Sequence, residues 1–199
     1  MPRDFALPNL TNHFLIAMPG LEDELFSRSV VYVCEHSEQG ALGLVINKPA
    51  DMDMKSLFET IELPLGREDL SDHPVFQGGP VQTDRGFVLH EPFFTGADKP
   101  ADSVYAATLS IPDGLEMTSS KDVLEALSNG VGPRKVLVSL GYSAWAEGQL
   151  ESELAGNSWL TVPADNSVIF DTPVAQRYDK ALKLLGVELW MLSPDVGHA

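Results

Sequence analysis

Residues 30–49, VVYVCEHSEQGALGLVINKP, spell two apolar runs around a polar turn. Val30 to Cys34 is β-branched and aromatic with no polar alternation, the pattern of a strand buried on both faces. Ser37 to Gly40 supplies the turn, and Ala41 to Ile46 returns as a second apolar strand, so the pair predicts a hairpin with a four-residue loop. Asn47-Lys48-Pro49 closes it, because proline has no N–H to give to a ladder.

The same grammar extends in both directions. Upstream, His13 to Met18 is apolar and stops at the Pro19-Gly20 turn signal. Downstream, Met54, Leu57, Phe58 and Ile61 fall at helical spacing, with Asp51 and Asp53 as helix N-terminal acids. Val75 to Gln77 and Gly86 to His90 predict strands around a tight Gly78-Gly79-Pro80 turn. Val104 to Ile111 and Leu115 to Thr118 flank Pro112-Asp113-Gly114, a second hairpin. Ser119 with Asp122 predicts a capped helix through Leu127, ended by Gly130. Lys135 to Gly141 is a buried strand, Gln149 to Leu154 a short helix, and Trp159 to Val162 and Ser167 to Phe170 two more strands. Thr172 as N-cap and Pro173 in the first turn predict a final helix with the face Val174, Tyr178, Leu182 and Leu185, stopped by Gly186. Hairpins outnumber strand–helix–strand crossovers, which predicts an α+β fold with a mixed, largely antiparallel sheet and a few flanking helices.

At 199 residues the chain fits a single domain over 1–199, with residues 1–11 as a flexible lead-in. Lys and Arg total 13 against 29 Asp and Glu, a net charge of −16. Nucleic-acid binders neutralise phosphates with basic surface, so this balance argues against direct DNA contact. Arg134-Lys135 is the only adjacent basic pair. Arg177, Lys180 and Lys183 form the nearest thing to a stripe on the last helix, where cations commonly serve the macrodipole at the C-terminal end. The single cysteine, Cys34, fits a reducing compartment. With no apolar run near the roughly 20 residues needed to span a bilayer, the expected location is cytoplasmic.

Candidate chemistry is sparse. Gly141-Tyr142-Ser143-Ala144-Trp145 sits where a hydrolase nucleophile elbow would, but Trp145 replaces the small residue that such a turn needs, so Trp145 is expected to be an aromatic anchor at a strand end. His13, His36, His73, His90 and His198 show no metal-binding spacing, and Cys34 has no partner cysteine. No metal or cofactor is expected. Alternation puts Cys34 and His36 on one strand face, with an inert buried thiol as the simpler reading. If an anionic ligand binds, the expected cleft gathers Asn47, Lys48, Pro49, Gly78, Gly79, Pro80, Trp145 and Gln149.

Several segments together resemble the YqgE/AlgH family of bacterial proteins: Asn12 to Pro19, Gly43 to Pro49, Phe76 to Val81, Gly141-Tyr142-Ser143, Trp145 with Gly148 to Glu151, and Asn157 to Leu160. The resemblance runs from about residue 12 through the Leu192-Ser193-Pro194-Asp195 and Gly197-His198-Ala199 tail. It implies an α+β fold whose bifurcated sheet curls into a pseudo-barrel. Members are often labelled candidate transcriptional regulators, after an association with alginate production, and no catalytic residues or cofactor are established for them. Ala144, Ala146 and Glu147 stand where many relatives carry a Gly-Trp-Gly-Pro run, which argues against an anion-binding loop there.

Three functions follow for testing. The first is regulation of gene expression exerted indirectly through a protein partner. The second is a small anionic-ligand binder or an enzyme with an unfamiliar site. The third, most disfavoured by the charge, is a direct DNA-binding regulator. No catalytic constellation is recognisable in the residues.

Overall fold

The computed structural model describes residues 8–92 and 105–192. In chain order its elements are β1 (His13–Ala17), β2 (Val30–Ser37), β3 (Gly40–Val45), β4 (Pro49–Asp53), α1 (Met54–Thr60), β5 (Pro74–Gln77), β6 (Val81–His90), β7 (Thr108–Ser110) and β8 (Glu116–Thr118). There follow α2 (Asp122–Ser128), β9 (Val136–Ala146), α3 (Gln149–Ala155), β10 (Trp159–Pro163), α4 (Asn166–Phe170) and α5 (Arg177–Leu184).

The strands form one ten-stranded sheet with the order β10-β1-β2-β3-β9-β6-β8-β7, and β5 joins β9 while carrying β4. The long strand β9 is the branch point. Its C-terminal half pairs with β3 (Gly43↔Ser143), its N-terminal half with β6 (His90↔Val136), and β5 lies parallel to its middle (Phe76↔Ser139). All other pairings are antiparallel. The result is an α+β fold whose sheet curls into a half-barrel.

Burial of β2 on both faces follows from its apolar run. Val30, Tyr32 and Cys34 pack with Leu44, Ile46 and Leu89 on the inner face, which α4 and α5 close with Ile169, Ala181 and Leu182. Val31 and Val33 pack on the opposite face with Trp145, Leu150 and Trp159. A third apolar cluster lies under α1 and α2. Tyr178 ties α5 to the sheet, its hydroxyl donating to the Ala17 carbonyl at 2.6 Å.

The backbone from Gly78 to Pro80 runs flush against β9. A Cβ on Gly79, whose φ is +155°, would lie 2.2 Å from the Tyr142 backbone. Only glycine permits that approach.

Several sequence expectations need correction. The hairpin turn is tighter than four residues, because Ser37 pairs with Gly40. Pro49 does not end the β structure: it opens β4, opposite Phe76. The strand expected over Lys135–Gly141 runs on as β9 to Ala146, passing Gly141 at a φ of +74° and placing Trp145 next to its end, as expected. Ser167 to Phe170 is helical rather than extended, as Asp165 accepts from the Ser167 N–H at 2.9 Å and caps α4. The last helix begins at Arg177, after a 3-10 turn at Val174–Gln176, and the Thr172 hydroxyl donates to the Ser167 carbonyl instead of capping it. α2 has Lys121 at its cap without a side-chain bond, while Ser120 rather than Ser119 reaches Asp122. Asp53 caps α1 as expected, but Asp51 stays in β4. Strand Val104–Ile111 shortens to β7, with Val104 outside the described residues, as is the tail from Ser193.

Cys34 and His36 do not share a face. A bulge between Val33 and Glu35 shifts the register, so His36 pairs with Ala41 on the outer face while Cys34 stays with the inner core. Burial pushes the Cys34 thiol up, away from the reactive thiolate.

His90 is buried in the sheet, with Nε2 2.8 Å from Thr118 Oγ1 and Nδ1 2.9 Å from the Glu91 carbonyl. Burial lowers its pKa, against weaker opposing pulls from the Glu91 carbonyl and the Glu116 carboxylate 4.0 Å away. A lowered histidine takes its proton more readily when unfolded. Its contribution to stability is therefore complete above about pH 6.5 and is lost as the pH falls below that value. Tm should decline in that window, and His90→Gln should flatten the decline. An identical slope in the variant would assign the acid sensitivity to other groups.

Candidate functional site

A concavity of about 400 Å³ opens where β5 parts from β9 and α4 and α5 cross the gap. That volume falls in the range of small-ligand pockets. Its walls are apolar (Leu70, Phe76, Val138, Ile169 and Phe170 among them), while Arg134, Lys135, Arg177, Asp69 and Asp171 bring charge.

Arg177 is the centre of the arrangement. It is only 7% exposed, and its position reverses the expectation from sequence: it opens α5 rather than closing it. A cation at a helix N-terminus opposes the macrodipole, so tertiary contacts must hold it there. Nε donates to the Thr172 carbonyl at 3.0 Å, Nη1 donates to the Ile46 carbonyl, and the guanidinium lies 5.0 Å from the Phe76 ring centroid. No described carboxylate lies within ion-pair distance of it. Burial pushes its pKa down to about 10, so it remains charged at neutral pH.

The two acids of the lining are already engaged. Asp69 accepts a fork from Arg67 at 2.8 and 2.9 Å, which holds its carboxyl below the usual carboxylate range. Arg67 also donates to the Pro133 and Arg134 carbonyls, fixing the approach to β9. Asp171 pairs with Lys135 at 3.0 Å across the solvent-exposed rim, an exchange worth little in water. The lining thus carries three cations against two acids in a chain of net charge −16. Its hydroxyl side chain, Thr172, donates to the Ser167 carbonyl. The arrangement can hold an anion.

The residues singled out from sequence lie elsewhere. Asn47 clips β2 to the loop before it, accepting from Val30 N at 2.9 Å and donating to the Arg28 carbonyl. Lys48 Nζ donates to the Ser27 carbonyl at 2.6 Å, and burial together with Arg28 lowers its pKa. Its carbonyl accepts from Gln77 N, and Gly78 bonds Val45 and Leu140, so the 47–49 and 78–80 segments are neighbours. Trp145 and Gln149 belong to another cluster: Trp145 Nε1 donates to Glu153 at 2.6 Å, and Gln149 accepts from Ala146 N. None of the eight lines the 400 Å³ cavity. Sequence reading missed Arg177, Phe76 and Lys135 as a group, and the one available signal was the adjacent Arg134-Lys135 pair.

Among the described residues no three His, Cys, Asp or Glu side chains gather to hold a metal, and no helix is long and apolar enough to cross a membrane.

The AlgH-like family model (DUF179) matches residues 14–190. A UPF0301 protein of Albidiferax ferrireducens is 78% identical over 199 residues, and one of Variovorax paradoxus is 74% identical over 199, with both chains covered completely in each case. The solution structure of the AlgH protein from Pseudomonas aeruginosa superposes with a TM-score of 0.74 at 44% identity, covering 98% of each chain. A crystal structure of a Corynebacterium diphtheriae protein shares the fold, with a TM-score of 0.70 at 21% identity over 94% of this chain and 92% of that one. With its sequence and its curled sheet both in agreement, the chain belongs to the AlgH-like family.

Proposed function

We propose that this chain is a non-enzymatic binding protein of the cytoplasm that takes a small anionic ligand in the Arg177 cavity and affects gene expression through protein contacts. The observation that carries the ligand reading is the buried guanidinium without a described carboxylate partner. A buried charge is unfavourable unless it is compensated, and an entering anion would compensate it. The regulatory part rests on the family resemblance and on charge. A net charge of −16 repels DNA phosphates and suits a basic protein partner.

Thermal shift and calorimetry against inorganic phosphate, nucleotides and small carboxylates test this. A ligand at about 100 times its Kd stabilises the native state by roughly 2.7 kcal/mol. Lys135→Ala should weaken binding by about tenfold at low salt, or about 1.4 kcal/mol. A silent panel would sink the ligand reading. A hit lost only in Lys48→Ala would move the ligand to the 47–49 turn.

A further inference from the structure

Resting on that reading, we infer that the anion is the C-terminal carboxylate of a peptide laid along an open edge of β9. The cavity offers more than charge. β9 remains paired with β6 down to His90↔Val136, whereas β5 leaves it at Phe76↔Ser139. β5 begins at Pro74, which pairs with Asp53 of β4 and has no N–H to offer. The register carries Val75 and Pro74 alongside Val138 and Leu137, so the β5-facing edge of β9 lacks a strand beside it only at Val136, among the described residues.

The Leu140 carbonyl, accepting from Gly78 N at 3.0 Å, marks that edge. Peptide groups along a strand alternate with a period of two, so Val136 directs its N–H and carbonyl to the same side. Val136, Leu137 and Val138 all line the cavity. A backbone edge left open in this way is a template for a further chain.

Arg177 completes the fit. Its Nε and Nη1 are used by the Thr172 and Ile46 carbonyls, which leaves Nη2 without a partner among the described residues. A free phosphate would use the guanidinium and the rim cations alone. A peptide end would use three features together: its carboxylate on Nη2, its backbone on the Val136 edge, and its last side chain against Leu70, Phe76 and Ile169. Strand addition and carboxylate capture are both established modes of peptide recognition. The cavity, at about 400 Å³, suits a chain end rather than a long strand.

The test is two-dimensional NMR of the ¹⁵N-labelled intact protein. It would be titrated with pooled acetylated tetrapeptides covering every residue type at the last position, with the same pools amidated, and with inorganic phosphate. At least one acid pool should shift the Val136 and Val138 amide signals, with the amidated pool about tenfold weaker or more, as for the loss of one charge-assisted contact. Arg177→Lys should weaken the acid pool similarly, and the acid–amide comparison on the native chain stands even if that variant folds poorly. Equal response to acid and amide overturns the inference. Phosphate shifting these signals while every peptide pool is silent also overturns it but leaves the anion reading standing. Silence from all three probes removes both.

Discussion

Trp145→Ala is expected to destabilise the protein by about 3–5 kcal/mol, the range for deleting a large aromatic from a core. The indole is 5% exposed and meets Trp159 edge-on at 6.2 Å and Phe26 at 6.1 Å. Its Nε1 shares the Glu153 carboxylate with Trp159 Nε1, at 2.6 and 3.0 Å. Truncation would leave both a cavity and a carboxylate missing one of its two indole donors. Trp145→Phe keeps most of the packing and loses the hydrogen bond, so it should cost about 1–2 kcal/mol. The shift in urea midpoint measures both. A loss below about 1 kcal/mol for the alanine variant would show that Trp145 does not anchor this face.

Arg177→Met is the second large effect, because it removes one side chain with two separable duties. The Ile46 and Thr172 carbonyls would each lose a donor. An orphaned buried acceptor costs about 1–3 kcal/mol. Removing a buried charge that has no described carboxylate partner offsets part of this, so a net loss of about 2–3 kcal/mol is expected. Anion-dependent stabilisation should vanish at the same time. Measuring Tm with and without the bound anion separates the two duties. If the variant is less stable yet gains as much from the anion as the native chain, Arg177 is a structural clip and the ligand lies elsewhere.

The apolar runs of β1, β2, β3 and β9 were legible because burial on a sheet demands uninterrupted β-branched and aromatic residues, and local sequence carries that demand. The turns at Pro112-Asp113-Gly114 and after Leu184 were legible for a similar reason, since the Gly186 φ of +70° is a local requirement. Those signals, with the ordered motifs from Asn12 onward, determined the fold class and the family. Ser167 to Phe170 was misread because a short apolar run has the same composition in a buried strand and a buried helix. Asp165 and the packing of Val168 and Ile169 under the sheet decided for helix. The bulge at Cys34 could not be read either, because it is a property of the pairing with β3 and not of β2 alone.

The cavity was beyond reach for a stronger version of the same reason. Its parts come from the start of β5, the first half of β9, the end of α4 and the first residue of α5. The contact that holds Arg177 in place spans 131 residues, to Ile46. Sequence alone settled the apolar strands β1, β2, β3 and β9 and the net charge of the chain. Only the tertiary structure brought a buried cation to an open strand edge, because that meeting depends on where β5 leaves β9, and such a long-range packing outcome leaves no local trace.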